Sequence, residues 1–199
     1  TQHPREMQRV VADALHVSSN QVNVEILRIG GGVGGKEAQS ALFACVAAVG
    51  AKRLQRPVKL RLDRDDDMMI TGKRHDFLFD YEAGFDEHGL MLALKIELIS
   101  RAGFSADLSG PVMSRAVCHV DNAYYLSDVD IAGLCARTNT QSNTAFRGFG
   151  GPQGAFAIEY ILDNIARDLG KDALDVRRLN FYGAAGRDST HYGMQVVDN

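Results

Sequence analysis

Gly30-Gly31-Gly32-Val33-Gly34-Gly35-Lys36-Glu37 is the stretch that decides how the first part of this 199-residue chain can fold. Residues 21–28 before it alternate apolar and polar side chains, which is typical of a half-buried strand. After it, apolar residues recur with the helical period over about 37–54. The sequence therefore predicts a strand, a glycine-rich loop and a helix, with backbone N–H groups offered to a bound anion or oxo group at the helix start.

The spacing Gly30-x-Gly32-x-x-Gly35 also satisfies the dinucleotide-binding fingerprint, so a Rossmann domain is the first alternative. Its context fits poorly, because the predicted strand alternates in polarity, whereas a strand buried on both faces is continuously apolar. A predicted helix also precedes this strand. The first acidic residue after the next predicted strand is Asp63, farther along the chain than the usual ~20 residues.

The remaining pattern mixes helices with alternating strands. Helices are predicted at about 4–16, 37–54, 111–118, 152–169 and 172–181, with a helical turn at 65–67, and strands at 21–28, 58–62, 77–81, 92–98 and 128–138. The strands on either side of Asp86-Glu87-His88-Gly89 are expected to form an antiparallel hairpin. This order predicts an α+β fold with a mixed, largely antiparallel sheet and packed helices.

Composition excludes several classes of protein. Apolar residues make up 45% and charged residues 24% of the chain, and the net charge is −3, as in an ordinary globular domain. Basic residues are scattered among acids, and no apolar run approaches the ~20 residues that span a bilayer, so neither a nucleic acid nor a membrane is expected as a partner.

The cysteines and histidines do not indicate a metal site of their own. The three cysteines lack C-x-x-C spacing and the six histidines lack metal-ligand spacing, so no side chain of this chain is expected to bind a metal directly. Cys45 is expected to be a buried thiol of a cytoplasmic protein. His75 is expected to be a hydrogen-bonded structural histidine.

A second glycine-rich stretch, Asn143-Thr144-Ala145-Phe146-Arg147-Gly148-Phe149-Gly150-Gly151-Pro152-Gln153, comes just before the helix predicted at 152–169. Its aromatic rings suggest a planar ligand held by stacking, and Arg147 suggests a negative or carbonyl-rich ligand. The alternative interpretation is a tight turn whose aromatic rings anchor the core. If only one ring is a core residue, we expect it to be Phe146.

Several blocks of this chain, in order and over nearly its whole length, resemble the molybdenum hydroxylase family, and within it the cofactor-binding domain of the xanthine dehydrogenases. They are the two glycine-rich stretches and residues 63–68, 71–75, 107–109, 115–116, 121–122 and 138–143. Residues 140–143 and 190–193 resemble the bacterial two-subunit members. The resemblance implies that residues 1–199 are the first portion of a molybdopterin-binding domain.

The resemblance implies a purine-oxidising enzyme that converts hypoxanthine or xanthine to urate at a molybdenum held by molybdopterin. It implies further partners, which are the remaining part of the molybdenum subunit and an iron–sulfur/flavin subunit, assembled as a dimer of heterodimers. Electrons would pass through 2Fe–2S clusters and FAD, carried on those other domains, to NAD. No residue here matches the catalytic glutamate base of the family, so the 199-residue chain alone is expected to be inactive.

The resemblance also implies a set of cofactor-binding residues. Gln2 matches a glutamine that hydrogen-bonds an oxo ligand of the molybdenum. Gly32, Val33, Gly34 and Arg147 match residues of the family whose backbone lies near the cofactor. Val33 stands where the family usually has phenylalanine, so shielding by that ring would be lost.

Glu37 and Arg115 match the catalytic and substrate-binding pair that holds opposite ends of the purine. A carboxyl group can bind a ring nitrogen or oxygen, and arginine can stabilise negative charge on a carbonyl oxygen. Phe149 matches the ring that contacts the substrate, and Phe146 its neighbour. Without the resemblance, Glu37 would be a favourable charge in a first helical turn and Arg115 a surface ion pair.

The competing hypothesis is a non-catalytic homologue or assembly module whose glycine loops are structural. The two hypotheses differ in geometry. A cofactor-binding domain requires the two glycine-rich turns to share a hollow, and the enzyme hypothesis predicts that Glu37, Arg115 and Phe149 converge on one open face. The non-catalytic module predicts that these three side chains diverge or pack in the core.

Overall fold

The computed structural model describes residues 1–183 and 186–197. These residues contain six helices and one small sheet. The helices are α1 (Pro4–Leu15), α2 (Ala41–Leu54), α3 (Arg64–Ile70), α4 (Ser109–Cys118), α5 (Gly151–Leu169) and α6 (Ala173–Asn180), with a short 3-10 helix at Ser19–Gln21. The strands are β1 (Phe77–Phe85), β2 (Met91–Gly103) and β3 (Asp128–Arg137). The predicted α+β class is confirmed.

The sheet has the order β1-β2-β3, with β2 in the centre. β1 and β2 form the predicted antiparallel hairpin, in which Tyr81 is opposite Ile96. β3 pairs with β2 in parallel, with Ile96 beside Ile131. Parallel neighbours need a crossover connection, and α4 supplies it between β2 and β3. The sheet is therefore mixed, as predicted. It is not largely antiparallel, because the pairing is antiparallel on one side of β2 and parallel on the other.

Alternate residues of β2 supply the centre of the core. Leu94, Ile96 and Leu98 are buried, whereas Lys95 and Glu97 between them are exposed. Helices α4 and α5 pack on the buried side. The buried residues that α5 contributes are Ala157, Ile158, Ile161, Leu162, Ile165 and Ala166. Each large apolar side chain buried in this way contributes about 1.5–3 kcal/mol, so the α5–sheet layer is the main source of stability.

Two of the predicted strands were wrong. Residues 21–28 and 58–62 form no strand in the described chain. Leu27 is 80% exposed and Leu60 is 38% exposed. Their alternation favours extended backbone, but a strand also needs a neighbouring edge that accepts and donates its backbone hydrogen bonds.

The predicted helix at 37–54 starts later, at Ala41. Glu37 therefore lies in the loop before α2, and the first glycine stretch does not lead directly into a helix N-terminus. Helix α2 packs against α1, and the Cys45 thiol donates to the Val10 carbonyl at 3.8 Å. Cys45 is only half-buried and Leu42 is 63% exposed, so the expectation of a fully buried Cys45 was wrong.

The helical turn predicted at 65–67 is part of α3. The carboxylate of Asp63 accepts the backbone N–H of Asp66 at 2.8 Å and so caps this helix. None of the described helices combines the length and the apolarity that crossing a bilayer requires.

Leu98→Ala is expected to lower the free energy of unfolding by about 2–5 kcal/mol, because it opens a cavity where a fully buried side chain packs in β2. Leu78→Ala in β1 is the matched control, since Leu78 is 60% exposed, and its effect should stay within about 0.5 kcal/mol. Urea denaturation of both variants measures the difference. Equal losses would contradict the assignment of β2 as the core strand.

Candidate functional site

The two glycine-rich stretches lie against each other, backbone to backbone. Gly34 has a φ of +90°, and a Cβ at this position would lie 3.0 Å from the carbonyl carbon and oxygen of Ala145. Glycine alone combines this φ with so close an approach. Residues 30–35 and 144–149, here called the first and second glycine turns, therefore form one continuous surface.

A cleft of about 850 Å³ opens where the two turns meet. Gly34 and Gly35 line it from the first turn, and Thr144, Ala145 and Phe146 line it from the second. Its volume is within the range of about 300–1,000 Å³ that is usual for small-molecule sites. The shared hollow that a cofactor-binding domain requires is therefore present.

Gln2 lies against the first glycine turn. Its backbone N–H donates to the Lys36 carbonyl at 2.8 Å, and its side-chain oxygen accepts the Lys36 N–H at 3.3 Å. A Cβ on Gly32 would lie 3.4 Å from Nε2 of Gln2. Among the predicted cofactor residues, Gln2 and Gly32 thus lie together, and the side chain of Val33 beside them is 51% exposed.

Arg74 organises the second glycine turn. Its Nη2 donates to the Arg147 carbonyl at 2.7 Å, and its guanidinium lies over the Phe146 ring, 4.6 Å from the centroid. Phe146 is 46% exposed, so the expectation that it would be the core residue of the pair was wrong. A cation–π contact holds this ring at the surface. Phe149 is the more buried of the two rings.

Helix α4, which carries Arg115, contacts the backbone directly after the second glycine turn. Gly150 has a φ of +99°, and a Cβ there would overlap the carbonyl oxygen of Val112 in α4. Arg115 follows Val112 by one helical turn and is exposed. Phe149 directly precedes Gly150, so Phe149 and Arg115 lie on elements that are in backbone contact. Neither of these residues lines the 850 Å³ cleft, and Glu37 does not line it either. The cleft therefore does not bring the three predicted substrate residues together, and their convergence stays a prediction.

Glu37 carries a buried hydrogen-bond acceptor. Its Oε2 is buried, and no donor from the described residues bonds to it. A buried carboxylate oxygen without a donor costs free energy, so a donor from a bound group would stabilise this position. The explanation of Glu37 as a charge in a first helical turn fails, because α2 begins at Ala41.

The side chains that join these segments were missed in the sequence. Asp107 accepts the Thr144 hydroxyl at 2.6 Å with Oδ1 and the Gln39 amide at 2.9 Å with Oδ2. The Gln39 side-chain oxygen accepts the Gly72 N–H at 2.9 Å. Asp107 and Gly72 did lie in recognisable blocks of sequence. Local patterns, however, do not show which distant residues a side chain will contact.

His75 is buried close to the segments that Asp107 and Gln39 join. It is 2% exposed, and its Nε2 lies 2.7 Å from the hydroxyl of Ser109 at the start of α4. Burial lowers the pKa of His75, against the opposing influence of the carboxylates of Asp107 and Asp76. His75 is therefore a neutral structural histidine at neutral pH, as expected. No three His, Cys, Asp or Glu side chains of the described residues are grouped so that they could hold a metal ion.

Fold and site together define an α+β domain in which the two glycine turns form one wall of a cleft. Residues 1–181 match the family described as the molybdopterin cofactor-binding domain. This chain belongs to that family. The dinucleotide-binding alternative is wrong, because the first glycine turn follows an extended segment outside the sheet instead of a parallel strand.

Relatives of this chain are larger proteins, among them xanthine dehydrogenases and a nicotinate hydroxylase. The xanthine dehydrogenase of Drosophila subobscura is 49% identical over 98% of this chain, and the nicotinate hydroxylase of Emericella nidulans is 40% identical over 100% of it. In each case the match spans only 14% of the relative. The quinoline 2-oxidoreductase structure from Pseudomonas putida 86 superposes with a TM-score of 0.82 at 25% identity, covering 98% of this chain and 25% of that one.

Gly34→Ala is expected to destabilise the protein by about 1–2 kcal/mol or more, since a Cβ at positive φ is strained and would press on Ala145. Gly30→Ala is the matched control, because nothing lies within 4 Å of a Cβ there. The free energy of unfolding of each variant, measured in urea, makes the comparison. If both substitutions cost the same, the backbone contact between the turns is not supported.

His75→Gln is expected to reduce the loss of stability at acid pH. The pKa of His75 is lowered in the folded protein from its ordinary value of 6.5, so the unfolded chain binds more protons and stability falls as the pH drops below about 6.5. The free energy of unfolding should be measured at pH 7.5 and 5.5. His88→Gln should keep the wild-type dependence, since His88 is 69% exposed. An unchanged dependence in His75→Gln would show that His75 is not buried as a neutral group.

Proposed function

We propose that this chain is the first portion of the molybdopterin-binding domain of a purine hydroxylase, and that the whole enzyme oxidises hypoxanthine or xanthine to urate. The observation that carries this proposal is the backbone contact between Gly34 and Ala145. It joins the turn beside Gln2 to the turn that contains Arg147. Membership of the molybdopterin cofactor-binding family and the 49% identity to a xanthine dehydrogenase support it.

The residues at this wall fit a molybdenum–molybdopterin cofactor. The wall is free of side-chain bulk at Gly34, and the side-chain amide of Gln2 lies against Gly32. We propose that Gln2 and the backbone of Gly32, Val33, Gly34 and Arg147 hold the cofactor. When bound, the cofactor supplies the oxygen transfer and two-electron redox chemistry, while the residues of this chain bind and orient the reactants.

The proposed substrate site consists of Glu37, Arg115 and Phe149, with Phe146 beside it. The buried Oε2 of Glu37, which no described donor reaches, would accept a hydrogen bond from an N–H or O–H of the purine. The exposed guanidinium of Arg115 would stabilise negative charge that develops on a carbonyl oxygen at the opposite end of the ring. The Phe149 ring would orient the heterocycle by contact with its face or edge.

Further parts of the enzyme belong to the same proposal. The relatives are about seven times as long as the matched region and leave room for a catalytic glutamate base, 2Fe–2S clusters and FAD in segments other than this one. We propose that these segments pass electrons to NAD in a cytoplasmic dimer of heterodimers of the bacterial two-subunit type. The 199-residue chain alone would then lack turnover.

A non-catalytic module with structural glycine turns is the competing proposal. It accounts for the contact at Gly34 but assigns no donor to the buried Glu37 oxygen. The purine-binding role would supply that donor, which favours it.

In the full-length enzyme, Glu37→Gln and Arg115→Ala are each expected to lower kcat/KM for xanthine by about 100-fold or more, since each removes a group that stabilises the transition state. Molybdenum content and melting temperature should stay unchanged. Glu87→Gln and Arg178→Ala are controls, because both side chains are exposed and distant in sequence from the turns. Full xanthine turnover in either site variant would remove that residue from the mechanism.

A further inference from the structure

Three site segments meet at the carboxylate of Asp107. Its Oδ1 accepts the Thr144 hydroxyl at 2.6 Å and the Leu108 N–H at 2.7 Å, and its Oδ2 accepts the Gln39 amide at 2.9 Å. Hydrogen bonds to an ionised carboxylate are about twice as strong as bonds between neutral groups. The three segments are therefore held to one point.

Each of these segments carries a proposed substrate residue. Gln39 lies two residues after Glu37, and Thr144 lies two residues before Phe146. Asp107 itself lies two residues before α4, which carries Arg115. A shift of the Asp107 carboxylate would therefore move both ends of the proposed purine site relative to each other.

The backbone at Asp107 is in the left-handed region, with a φ of +42°. Aspartate adopts this region more readily than most residues, because its short side chain can bond the neighbouring backbone. The bond from the Leu108 N–H to Oδ1 is of this kind, so the turn and the position of the carboxylate depend on each other.

The partners of Asp107 are themselves fixed. Gln39 also donates to the Ser142 carbonyl at 3.2 Å, while its oxygen accepts the Gly72 N–H. This pair of contacts sets which end of the amide faces Asp107. The Thr144 side chain is buried, at 2% exposure. Neither partner can follow a displaced carboxylate without breaking its other contacts.

We propose that Asp107 is a positioning residue that sets the separation between Glu37 and Arg115, and thereby the ability of the site to hold a purine at both ends. This inference rests on the proposed function. Asp107 touches neither substrate nor cofactor in this proposal and acts only through the segments that it joins.

The test uses the full-length holoenzyme with xanthine as substrate. Asp107→Asn keeps the size of the side chain but places an N–H₂ group where an oxygen accepted a bond. It is expected to lower kcat/KM about 10- to 100-fold, because misplacement of reacting groups by about 1 Å can cost 100-fold. Asp172→Asn, at the cap of α6, is the matched control and should leave activity unchanged.

A double-mutant cycle distinguishes positioning from a general structural role. If Asp107 acts through Glu37, Asp107→Asn should have little further effect in the Glu37→Gln background, because the two residues form one unit. Fully additive losses would overturn the proposal. Thr144→Val removes only one bond to Asp107 and, if Asp107→Asn fails to fold, carries the same cycle with a several-fold loss expected.

The contact with Gln39 provides a second check. Gln39→Leu removes the bond to Asp107 and should add little to the loss of kcat/KM in Asp107→Asn if the two residues act as one unit. Additive losses contradict the positioning role alone. A wild-type holoenzyme that does not oxidise purines contradicts the proposed function itself.

Discussion

The rest of this site depends on one constraint, the backbone contact between the first and second glycine turns at Gly34 and Ala145. No side chain lies between the two turns at this point. The contact fixes the loop that leads into α2 against the segment that leads into α5. The second turn is in turn locked to α4, because Gly150 leaves no space for a side chain against Val112. Three parts of the chain that are far apart in sequence thus share one surface, although helices α1 and α2 pack mainly on each other.

Polar groups, and not apolar ones, hold these three parts of the chain together. The sheet and α5 form a core of leucine and isoleucine, whereas the residues buried near the turns include His75, Ser142, Asn143 and Thr144. Asn143 accepts the Lys73 N–H at 3.2 Å and donates to the Arg101 carbonyl at 3.0 Å. Hydrogen bonds are directional, so a satisfied polar network specifies one arrangement of its segments more narrowly than apolar packing does. Such a junction suits a surface that must present several groups in fixed positions.

The sequence predicted the elements whose own periodicity determines them. The hairpin of β1 and β2 and helix α5 were predicted because their apolar residues repeat with the period of a strand or a helix. Residues 21–28 and 58–62 were misjudged, since the pattern of a strand carries no information on whether an edge is available to pair with it. The parallel pairing of β3 follows from the crossover through α4, which local patterns do not encode.

The site residues were assigned through the resemblance and not through periodicity, and their roles stay predictions. The two glycine turns share a cleft as expected, but Glu37, Arg115 and Phe149 do not line it. The contacts of Phe146 and Asp107 could not be derived, because each is made with a residue distant in the chain. Arg74 holds Phe146 at the surface, and Gln39 is 68 residues from Asp107.

The most direct test of the account is a crystal structure of the full-length protein with a purine bound. The account predicts a cofactor against the wall formed by Gly34 and Ala145, and a purine whose ends contact Glu37 and Arg115. A purine or cofactor bound away from that wall, with Glu37 facing only protein, would contradict it.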